Sequence, residues 1–393
     1  MPDTAKPRRY HIIANAALGP YISGGDRHFI ELAKYLLARQ NTVLIYVWEE
    51  GRTMCLREGL PAASIVVWPV GIWSKSGFLI TYLARIINGA LQAPSGPAAA
   101  GEKNIVISAS DFWQDVLPAF IWKMRKRDQI AWVAYLHLLA PDPRVWFSAQ
   151  NIFFKISQLV SVFLMRRSDR VFVVNNDIKK YVARRGLARD KVIVVDNGIH
   201  LREIREIAPL YHVKKYDAIF SGRFHPQKGI FDLLRIWKMV VKRNKDAKLG
   251  LIGSGSKAYR SKVIRAVKDA RLEAHVELLG FKGRAEQIAL MKTSRMFVFP
   301  STHESWGIVV AEAMASGVPV VAYNLGFLKD IFRDGIYLVP LKDSDGFADT
   351  IVNILSHPDE AEITAQKALR IVEQYDWEKV LSRTVSHMEG VIR

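Results

Sequence analysis

A glycine and two cations lie close together at a predicted strand-to-helix turn in the second half of the chain. The segment Ser221–Gly229 contains Gly222, Arg223 and Lys228, and a helical pattern begins directly after it. Glycine lets the backbone approach a ligand, and the free amides of a helix start add partial positive charge. An arginine fork and a lysine point charge suit the oxygens of a pyrophosphate. The alternative is a solvated loop with ordinary surface cations.

Two carboxylates follow a later strand-to-helix turn. Glu304 lies in a loop, and Glu312 lies eight residues further on in a predicted helix. Carboxylates accept hydrogen bonds from vicinal hydroxyls, so the pair can hold two diols, such as those of a sugar and a ribose. Glu312 has apolar neighbours, where a carboxylate is costly unless it has a partner; the alternative is a solvent-facing position on the helix. The backbone amides at the helix start can bind an anion, and they belong to Ser305, Trp306, Gly307 and Ile308.

The first half of the chain offers two weaker features. The pair Gly24-Gly25 lies between a predicted strand and a helix, and Asp26 is the predicted N-cap of that helix. Two glycines permit a tight turn and a close approach of the backbone to a ligand. His137 ends another predicted strand, where an imidazole can serve an acid–base or electrostatic role. A simple turn and a packed histidine are the alternatives.

Several other classes of site are excluded by the sequence. It contains no Walker lysine motif, no nucleophile-elbow serine and no His-Glu-x-x-His. The single cysteine, Cys55, excludes a disulfide framework and cysteine-based zinc sites, and it fits a reducing compartment. Asp343 and Asp345 form an Asp-x-Asp in a polar loop, away from the predicted phosphate ligands. We therefore expect no metal and no cofactor.

Alternating strands and helices must position these residues. Short apolar runs alternate with longer amphipathic segments, which predicts parallel sheets covered on both faces. The pattern occurs twice, so the expected fold class is α/β with two doubly wound, Rossmann-like domains over 1–197 and 198–376. The last helix, 377–393, is expected to pack back on the first domain. The predicted strands are Tyr10–Ala14, Val43–Val47, Ile65–Trp68, Asn104–Ser108, Trp132–Leu136, Val171–Val174, Val192–Val195, Asp217–Phe220, Lys248–Ile252, Val276–Leu279, Met296–Phe299 and Pro319–Ala322.

The charge of the chain points to an anionic partner. Its 393 residues carry a formal net charge of +18, which suits a phosphorylated substrate, an anionic membrane or a nucleic acid. No recognised nucleic-acid module occurs, so we expect no nucleic acid. The most lipid-like stretch, Val145–Met165, is interrupted by Gln150, Asn151, Lys155 and Gln158, which predicts an amphipathic helix with one polar stripe. With no targeting segment evident, we expect a soluble, cytoplasmic chain that touches a membrane.

Taken together, the motifs resemble retaining glycosyltransferases of the GT-B fold, specifically glycosyltransferase family 4. Glu304 followed by Glu312 at this spacing, continuing as Ala-Met-Ala-Ser-Gly, carries the resemblance most strongly. Phe220-Ser221-Gly222-Arg223 with Lys228-Gly229 and the run Leu251–Gly255 add to it, as do Gly24-Gly25 and Asp196-Asn197-Gly198. The resemblance is strong from about residue 190 to 345.

The resemblance implies two Rossmann-like domains that face each other across a cleft, the first for the acceptor and the second for a nucleotide-sugar donor. Arg223 and Lys228 would neutralise the donor pyrophosphate, Glu304 would contact the hydroxyls of the donor sugar, and Glu312 would bind the ribose. The catalytic set would be His137, Glu304, Arg223 and Lys228. The donor-binding set would add Gly24, Gly25, Gly222, Ser305, Trp306, Gly307, Ile308 and Glu312, and no metal would be required.

The sequence departs from the family pattern in two places. Ser305-Trp306 replace the usual Gly-Phe and can reshape the backbone pocket, and His200 replaces the usual aspartate, so no role is assigned to it. The leading hypothesis is a retaining glycosyltransferase with a lipid-linked or glycolipid acceptor in glycan or polysaccharide biosynthesis, peripheral at the cytoplasmic face of a membrane. A transferase for a soluble sugar or sugar phosphate, and a non-catalytic GT-B interaction subunit, are the alternatives.

Overall fold

A computed structural model describes residues 8–17, 22–92, 104–126, 129–142 and 148–391. The chain divides after Asn197 into two compact units, and the segment from Glu378 onward belongs to the first of them. The second unit runs from Gly198 to Trp377. Two Rossmann-like α/β units with parallel sheets confirm the predicted fold class.

The first unit is built on a seven-stranded parallel sheet. Its strand order is β3-β2-β1-β4-β5-β6-β7. β4 and β5 are buried along their whole length, as expected of central strands covered on both faces. The strands are β1 Arg9–Ile13, β2 Thr42–Val47, β3 Ile65–Val67, β4 Asn104–Ser108, β5 Ile130–Leu136, β6 Arg170–Val173 and β7 Val192–Val194. The α-helices are α1 Gly24–Ala38, α2 Glu49–Arg57, α3 Phe78–Leu91, α4 Trp113–Arg125, α5 Ala149–Leu164 and α6 Asn176–Ala183.

The second unit contains a six-stranded parallel sheet in the order β10-β9-β8-β11-β12-β13. Its strands are β8 Tyr216–Ser221, β9 Leu249–Ile252, β10 Val276–Gly280, β11 Ser294–Phe299, β12 Val320–Tyr323 and β13 Tyr337–Val339. The edge strand β13 extends the sheet beyond the strands predicted from the sequence. Its helices are α7 Leu201–Glu206, α8 Ile230–Arg243, α9 Lys257–Asp269, α10 Arg284–Lys292, α11 Ile308–Ala315, α12 Phe327–Phe332, α13 Ser344–Ser356 and α14 Pro358–Val372.

Each sheet has one point where the strand order reverses. This point lies between β1 and β4 in the first unit and between β8 and β11 in the second. Loops at the carboxyl ends of such neighbouring strands leave in opposite directions and open a crevice, where ligands of α/β proteins bind. In each unit, the expected ligand position is therefore beside the two loops that follow these strands: β1 and β4 in the first unit, β8 and β11 in the second.

The last helix, α15 Trp377–Glu389, returns to the first unit. The Tyr10 hydroxyl donates to Glu389 Oε1 at 3.2 Å, and Arg8 forms an ion pair with the same oxygen at 2.9 Å. Met388 of this helix is fully buried. The first unit is thus completed by residues from the far end of the sequence.

One local prediction needs correction, and another lies partly outside the described residues. Helix α1 is capped by Ser23, whose hydroxyl accepts from the Asp26 amide, while the Asp26 carboxylate accepts from the Ser23 amide. Asp26 is therefore the third helical residue of a capping box, because serine three residues earlier takes the cap position. Residues 145–147 of the predicted amphipathic helix lie outside the described part of the chain, and α5 begins at Ala149. Within the described ranges, no helix is long and apolar enough to cross a membrane.

Candidate functional site

The loops that follow β8 and β11 bring a cation and a carboxylate together. Lys228 lies in the short 3₁₀ helix Pro226–Lys228 after β8, and Glu304 lies in the loop after β11. The Lys228 ammonium forms an ion pair and a hydrogen bond with Glu304 Oε1. Both side chains are largely shielded, with 23% and 17% exposed. The sequence-predicted phosphate cation and sugar carboxylate are therefore direct neighbours at the reversal point of the sheet.

Backbone packing fixes the loop after β8. Gly229 has φ of 67°, and a Cβ at this position would collide with the carbonyl oxygen of Pro300. A Cβ at Gly253, after β9, would collide with the carbonyl oxygen of Gly222. Only glycine permits both approaches. The loop that carries Gly222 and Lys228 is thus held against the ends of two neighbouring strands.

Arg223 projects from this loop with an exposed side chain. Its charge is felt locally: burial, together with Arg223 and Lys228, lowers the pKa of His225. Burial is the largest cause of this shift, and the two cations add to it because a positive potential disfavours the imidazolium. Arg223 and Lys228 themselves make the loop a positively charged surface. Such a surface suits a phosphate group.

Glu312 is buried on α11 and has two partners on the neighbouring helix α10. Its side chain is 9% exposed. Arg284 at the start of α10 lies 3.3 Å from Glu312 Oε1, and the Gln287 amide donates to Glu312 Oε2 at 3.3 Å. Gln287 in turn accepts from the Ser221 hydroxyl at 2.8 Å. The apolar setting predicted for Glu312 is real, and a hydrogen-bond chain that reaches the end of β8 compensates its charge.

The loop 305–308 can contribute its backbone to a ligand site more readily than its side chains. Gly307 has φ of 92° and caps α11. The Trp306 side chain is 1% exposed and packs edge-on against Phe332 and Tyr375. Trp306 is therefore a core residue, and its contribution to a ligand site is limited to its backbone. Ser305 and Ile308 are partly buried on either side.

In the first unit, Gly25 and His137 are neighbours. A Cβ at Gly25 would lie 3.0 Å from His137 Cδ2, so the imidazole packs directly on the glycine backbone. The His137 Nε2 lies 2.9 Å from the carbonyl oxygen of Ala109. Since a carbonyl only accepts, Nε2 carries the proton of the neutral ring. Burial lowers the pKa of His137 to about 4, so the ring is neutral at pH 7.

The other ring nitrogen of His137 is a buried acceptor. Among the described residues, Nδ1 has no hydrogen-bond partner. A buried polar atom without a partner costs free energy unless a ligand or water satisfies it. This nitrogen is therefore suited to accept a hydrogen bond from a hydroxyl group.

His28 belongs to the same cluster and was not singled out from the sequence. Its Nδ1 lies 3.1 Å from Asn197 Oδ1, and its Nε2 lies 3.2 Å from the Tyr135 hydroxyl. The His137 ring stacks on Tyr135 with a centroid distance of 5.3 Å. Burial lowers the pKa of His28 to about 3. The signal that could have found it is its position one helical turn after Gly25.

The Asp-x-Asp at Asp343 has a structural explanation. The Asp343 carboxylate accepts from the Gly346 amide at 2.9 Å and caps α13. In the ranges that the structure covers, no group of three or more His, Cys, Asp or Glu side chains could hold a metal ion.

Two family models match the chain in succession. Residues 22–203 match the model described as Glycosyltransferase Family 4, and residues 203–370 match the model described as Glycosyl transferases group 1. The chain belongs to glycosyltransferase family 4. The resemblance identified from the motifs is thereby confirmed.

Curated relatives of this family 4 chain include named mannosyltransferases. The phosphatidyl-myo-inositol mannosyltransferase of Mycobacterium leprae is 30% identical over 205 residues, which is 51% of this chain and 54% of the relative. The O-antigen chain mannosyltransferase B of Escherichia coli is 27% identical over 170 residues, 43% of this chain and 44% of the relative. The chain spans about half the length of the curated relatives it matches.

Solved structures share the fold over nearly the whole family 4 chain. HepE from Anabaena, in complex with UDP and glucose, has a TM-score of 0.73 at 18% identity and covers 98% of this chain and 100% of its own. Sucrose-phosphate synthase from Thermosynechococcus elongatus has a TM-score of 0.76 at 17% identity, with 98% and 99% covered. At this identity the likeness establishes the GT-B fold.

Proposed function

We propose that this chain is a retaining glycosyltransferase that uses a nucleoside diphosphate sugar and needs no metal ion. Membership of family 4 supports glycosyl transfer as the reaction. The observation that carries the rest is the placement of Lys228, Glu304 and Glu312 around the reversal point of the second sheet. A cation that suits a diphosphate and two carboxylates that suit diols follow the strands at the position where α/β sheets bind ligands.

The donor diphosphate would lie against the loop after β8. Lys228 would move from Glu304 to a phosphate oxygen, and Arg223 would supply a second charge from its exposed position. These cations would stabilise the negative charge that develops on the leaving nucleoside diphosphate, a task that other transferases give to a metal ion. The hypothesis predicts full activity in the presence of a chelator.

The two carboxylates would take different diols. Glu304, released from Lys228, would accept hydrogen bonds from hydroxyls of the donor sugar. Glu312, held by Arg284 and Gln287, keeps a fixed position suited to the ribose hydroxyls. Within the first unit, His137 Nδ1 would offer a hydrogen-bond acceptor, and Gly25 would permit a close approach of the backbone to a ligand.

The acceptor that we propose is membrane-associated, lipid-linked or a glycolipid, in glycan or polysaccharide biosynthesis at the cytoplasmic face of a membrane. Support comes from the relative named for phosphatidyl-myo-inositol and from the net charge of +18. An anionic surface attracts such a chain over about one Debye length.

The test is a thermal-shift screen of the purified protein against UDP, GDP, ADP and dTDP and their sugar conjugates. A ligand that binds only the folded state raises the unfolding midpoint. We expect a shift with one nucleotide that is lost in Glu312→Gln and kept in Glu273→Gln, an exposed carboxylate of the same unit. If no nucleotide shifts the midpoint, the chain is a GT-B subunit without donor binding.

A further inference from the structure

Helix α5 turns its polar side toward the protein. Ser157, Gln158 and Ser161 are buried. The Gln158 amide nitrogen donates to Asp111 Oδ2 at 2.8 Å, and the Gln158 oxygen accepts from the Ala140 backbone at 2.9 Å. Gln158, a member of the predicted polar stripe, is thus anchored inside the first unit.

The opposite side of α5 is apolar and exposed. Ile156, Leu159, Val160 and Phe163 follow one another at helical spacing, and Phe163 is 61% exposed. A surface helix of a globular protein normally buries such a face and exposes the polar one. The orientation of α5 is therefore inverted with respect to water.

Helix α3 exposes a second apolar stripe. Leu79, Leu83, Ile87 and Leu91 recur every four residues, and Ile87 is 56% exposed. The preceding 3₁₀ helix, Gly71–Lys75, continues the stripe with the exposed side chains Ile72 and Trp73. It is fastened to α3 by the Thr81 hydroxyl, which donates to the Trp73 carbonyl at 2.8 Å.

The two stripes belong to the same layer of helices. Both α3 and α5 pack against α4, on one face of the seven-stranded sheet. The rings of Tyr82 on α3 and Phe153 on α5 meet edge to face with a centroid distance of 5.5 Å. The helices that carry the two exposed stripes are therefore in contact, and we treat the stripes together as one apolar region, since runs at helical spacing differ from scattered surface hydrophobics.

The charges in these segments favour an anionic lipid surface as the occupant. Residues 71–92 and 148–167 contain no Asp or Glu. Lys75 is exposed beside the first stripe, and Arg166 and Arg167 are exposed at the end of the second. A second copy of this chain is disfavoured, because a two-fold interface would place these uncompensated cations on both sides.

We propose that the apolar faces of α3, α5 and the 3₁₀ helix 71–75 dock the protein onto an anionic membrane, with Lys75, Arg166 and Arg167 at the lipid headgroups. The arrangement matches helices that lie in the membrane interface, with apolar side chains among the acyl chains and cations at the phosphates. This inference rests on the proposed membrane-associated acceptor for its purpose. Lipid binding itself does not require sugar transfer.

The experiment is co-sedimentation with vesicles of phosphatidylcholine and phosphatidylglycerol, compared with pure phosphatidylcholine. We expect the wild-type protein to sediment with anionic vesicles at low salt and to be released as salt is added. Ile87→Glu and Phe163→Glu should each weaken sedimentation on the order of tenfold, because each places a carboxylate in the apolar interface. Ile363→Glu is the matched control, since Ile363 is 61% exposed on α14 of the other unit; it should sediment as wild type.

Three results would overturn the docking surface: wild-type protein that stays in the supernatant, Ile87→Glu and Phe163→Glu variants that sediment as wild type, or a wild-type dimer that both variants convert to monomer. The last would assign the apolar region to self-association. The nucleotide thermal shift of the same variants separates this from failure of the proposed function. If the nucleotide still raises the unfolding midpoint but the protein does not bind vesicles, only the proposed docking surface is contradicted.

Discussion

At the scale of single residues, the candidate donor site consists of carboxylates that already have partners. Lys228 neutralises Glu304, and Glu312 is held by Arg284 and Gln287. An incoming phosphate must compete with Glu304 for Lys228. The effects of Lys228 and Glu304 on donor binding should therefore depend on each other, and kinetics of single and double variants can measure this dependence.

Lys228→Met should lower kcat/KM for the donor by roughly 10–100-fold, because a hydrogen bond to a charged group contributes about 1.5–3 kcal/mol. Glu304→Gln should also lower it. If the two side chains act as a pair, the double variant will lose less than the product of the single losses. Steady-state kinetics with the identified donor give the three values.

Lys238→Met is the control for that series, since Lys238 is exposed on α8 of the same unit. If Lys228→Met and Glu304→Gln each keep kcat/KM for the donor within about twofold of the wild-type value, the two side chains are not part of the donor site.

The buried histidine His28 predicts a pH dependence of stability. Its pKa in the folded protein is about 3, because burial disfavours the imidazolium, against about 6.5 in the unfolded chain. Between these values the unfolded chain binds more protons, so this contribution to stability is complete above about pH 6.5 and is lost as the pH falls. From pH 6.5 to pH 5 the loss is about 2 kcal/mol.

His28→Gln removes this titration. Denaturant unfolding at several pH values should therefore show wild type losing stability relative to His28→Gln as the pH falls from 7 to 5. His387→Gln, which removes an exposed imidazole, should keep the wild-type slope. A constant difference between wild type and His28→Gln across this range would contradict the buried neutral imidazole.

Residue type and spacing single out Arg223, Lys228, Glu304 and Glu312 as candidate site residues. Their partners were not predictable in the same way. Gln287 precedes Glu312 by 25 residues and meets it only because α10 and α11 lie side by side. Contacts made through space between elements leave no local spacing in the sequence.

At the scale of elements, most predicted strands match the observed ones within one or two residues. Central parallel strands are buried on both faces, so they form continuous apolar runs that are easy to recognise. The orientation of α5 could not be derived in this way, because a helical apolar stripe has the same pattern whether it faces a core or a membrane. The buried hydrogen bonds of Gln158 decide it.

The loop after β8 depends on Gly229 for two separate reasons. Gly229→Ala would force φ of 67° on a residue with a Cβ and would also drive that Cβ into Pro300. The backbone strain alone lowers the free energy of unfolding by about 1 kcal/mol. The collision with Pro300 should raise the total loss to about 3 kcal/mol or more. The nucleotide-induced thermal shift should fall with it, because the loop carries Lys228.

Two further glycines separate these causes. Gly280 has φ of 72° with nothing near its absent Cβ, and Gly283 has neither strain nor neighbours. In denaturant unfolding, Gly280→Ala should show the strain alone, and Gly283→Ala should show only the small loss of a less favourable N-cap on α10. Equal losses for Gly229→Ala and Gly280→Ala would rule out the contact with Pro300.

At the scale of the whole molecule, the chain enters the second unit at Gly198 and leaves it at Trp377. These two crossing points lie side by side. The Ile199 amide donates to the Tyr375 carbonyl at 2.8 Å, and the Trp377 amide donates to the Ile199 carbonyl at 3.1 Å. The return of α15 to the first unit therefore starts from a fixed position. The sequence placed the seam at Asn197-Gly198, but this long-range pairing has no local signal.

Gly198 lets the Trp377 ring lie across the first crossing point. A Cβ at Gly198 would be 2.5 Å from Trp377 Cδ2, and Trp377 is 5% exposed. Gly198→Ala should therefore destabilise the protein by about 1–3 kcal/mol through overpacking. Trp377→Phe in the same chain removes part of the indole and should recover some of that loss, whereas Trp377→Phe alone should destabilise. Urea unfolding followed by circular dichroism measures the stability of all three variants.

Gly390→Ala is the control, since a Cβ at this position would have ordinary contacts only, and it should unfold as wild type does. Purely additive losses for Gly198→Ala and Trp377→Phe would show that the two residues do not share this contact.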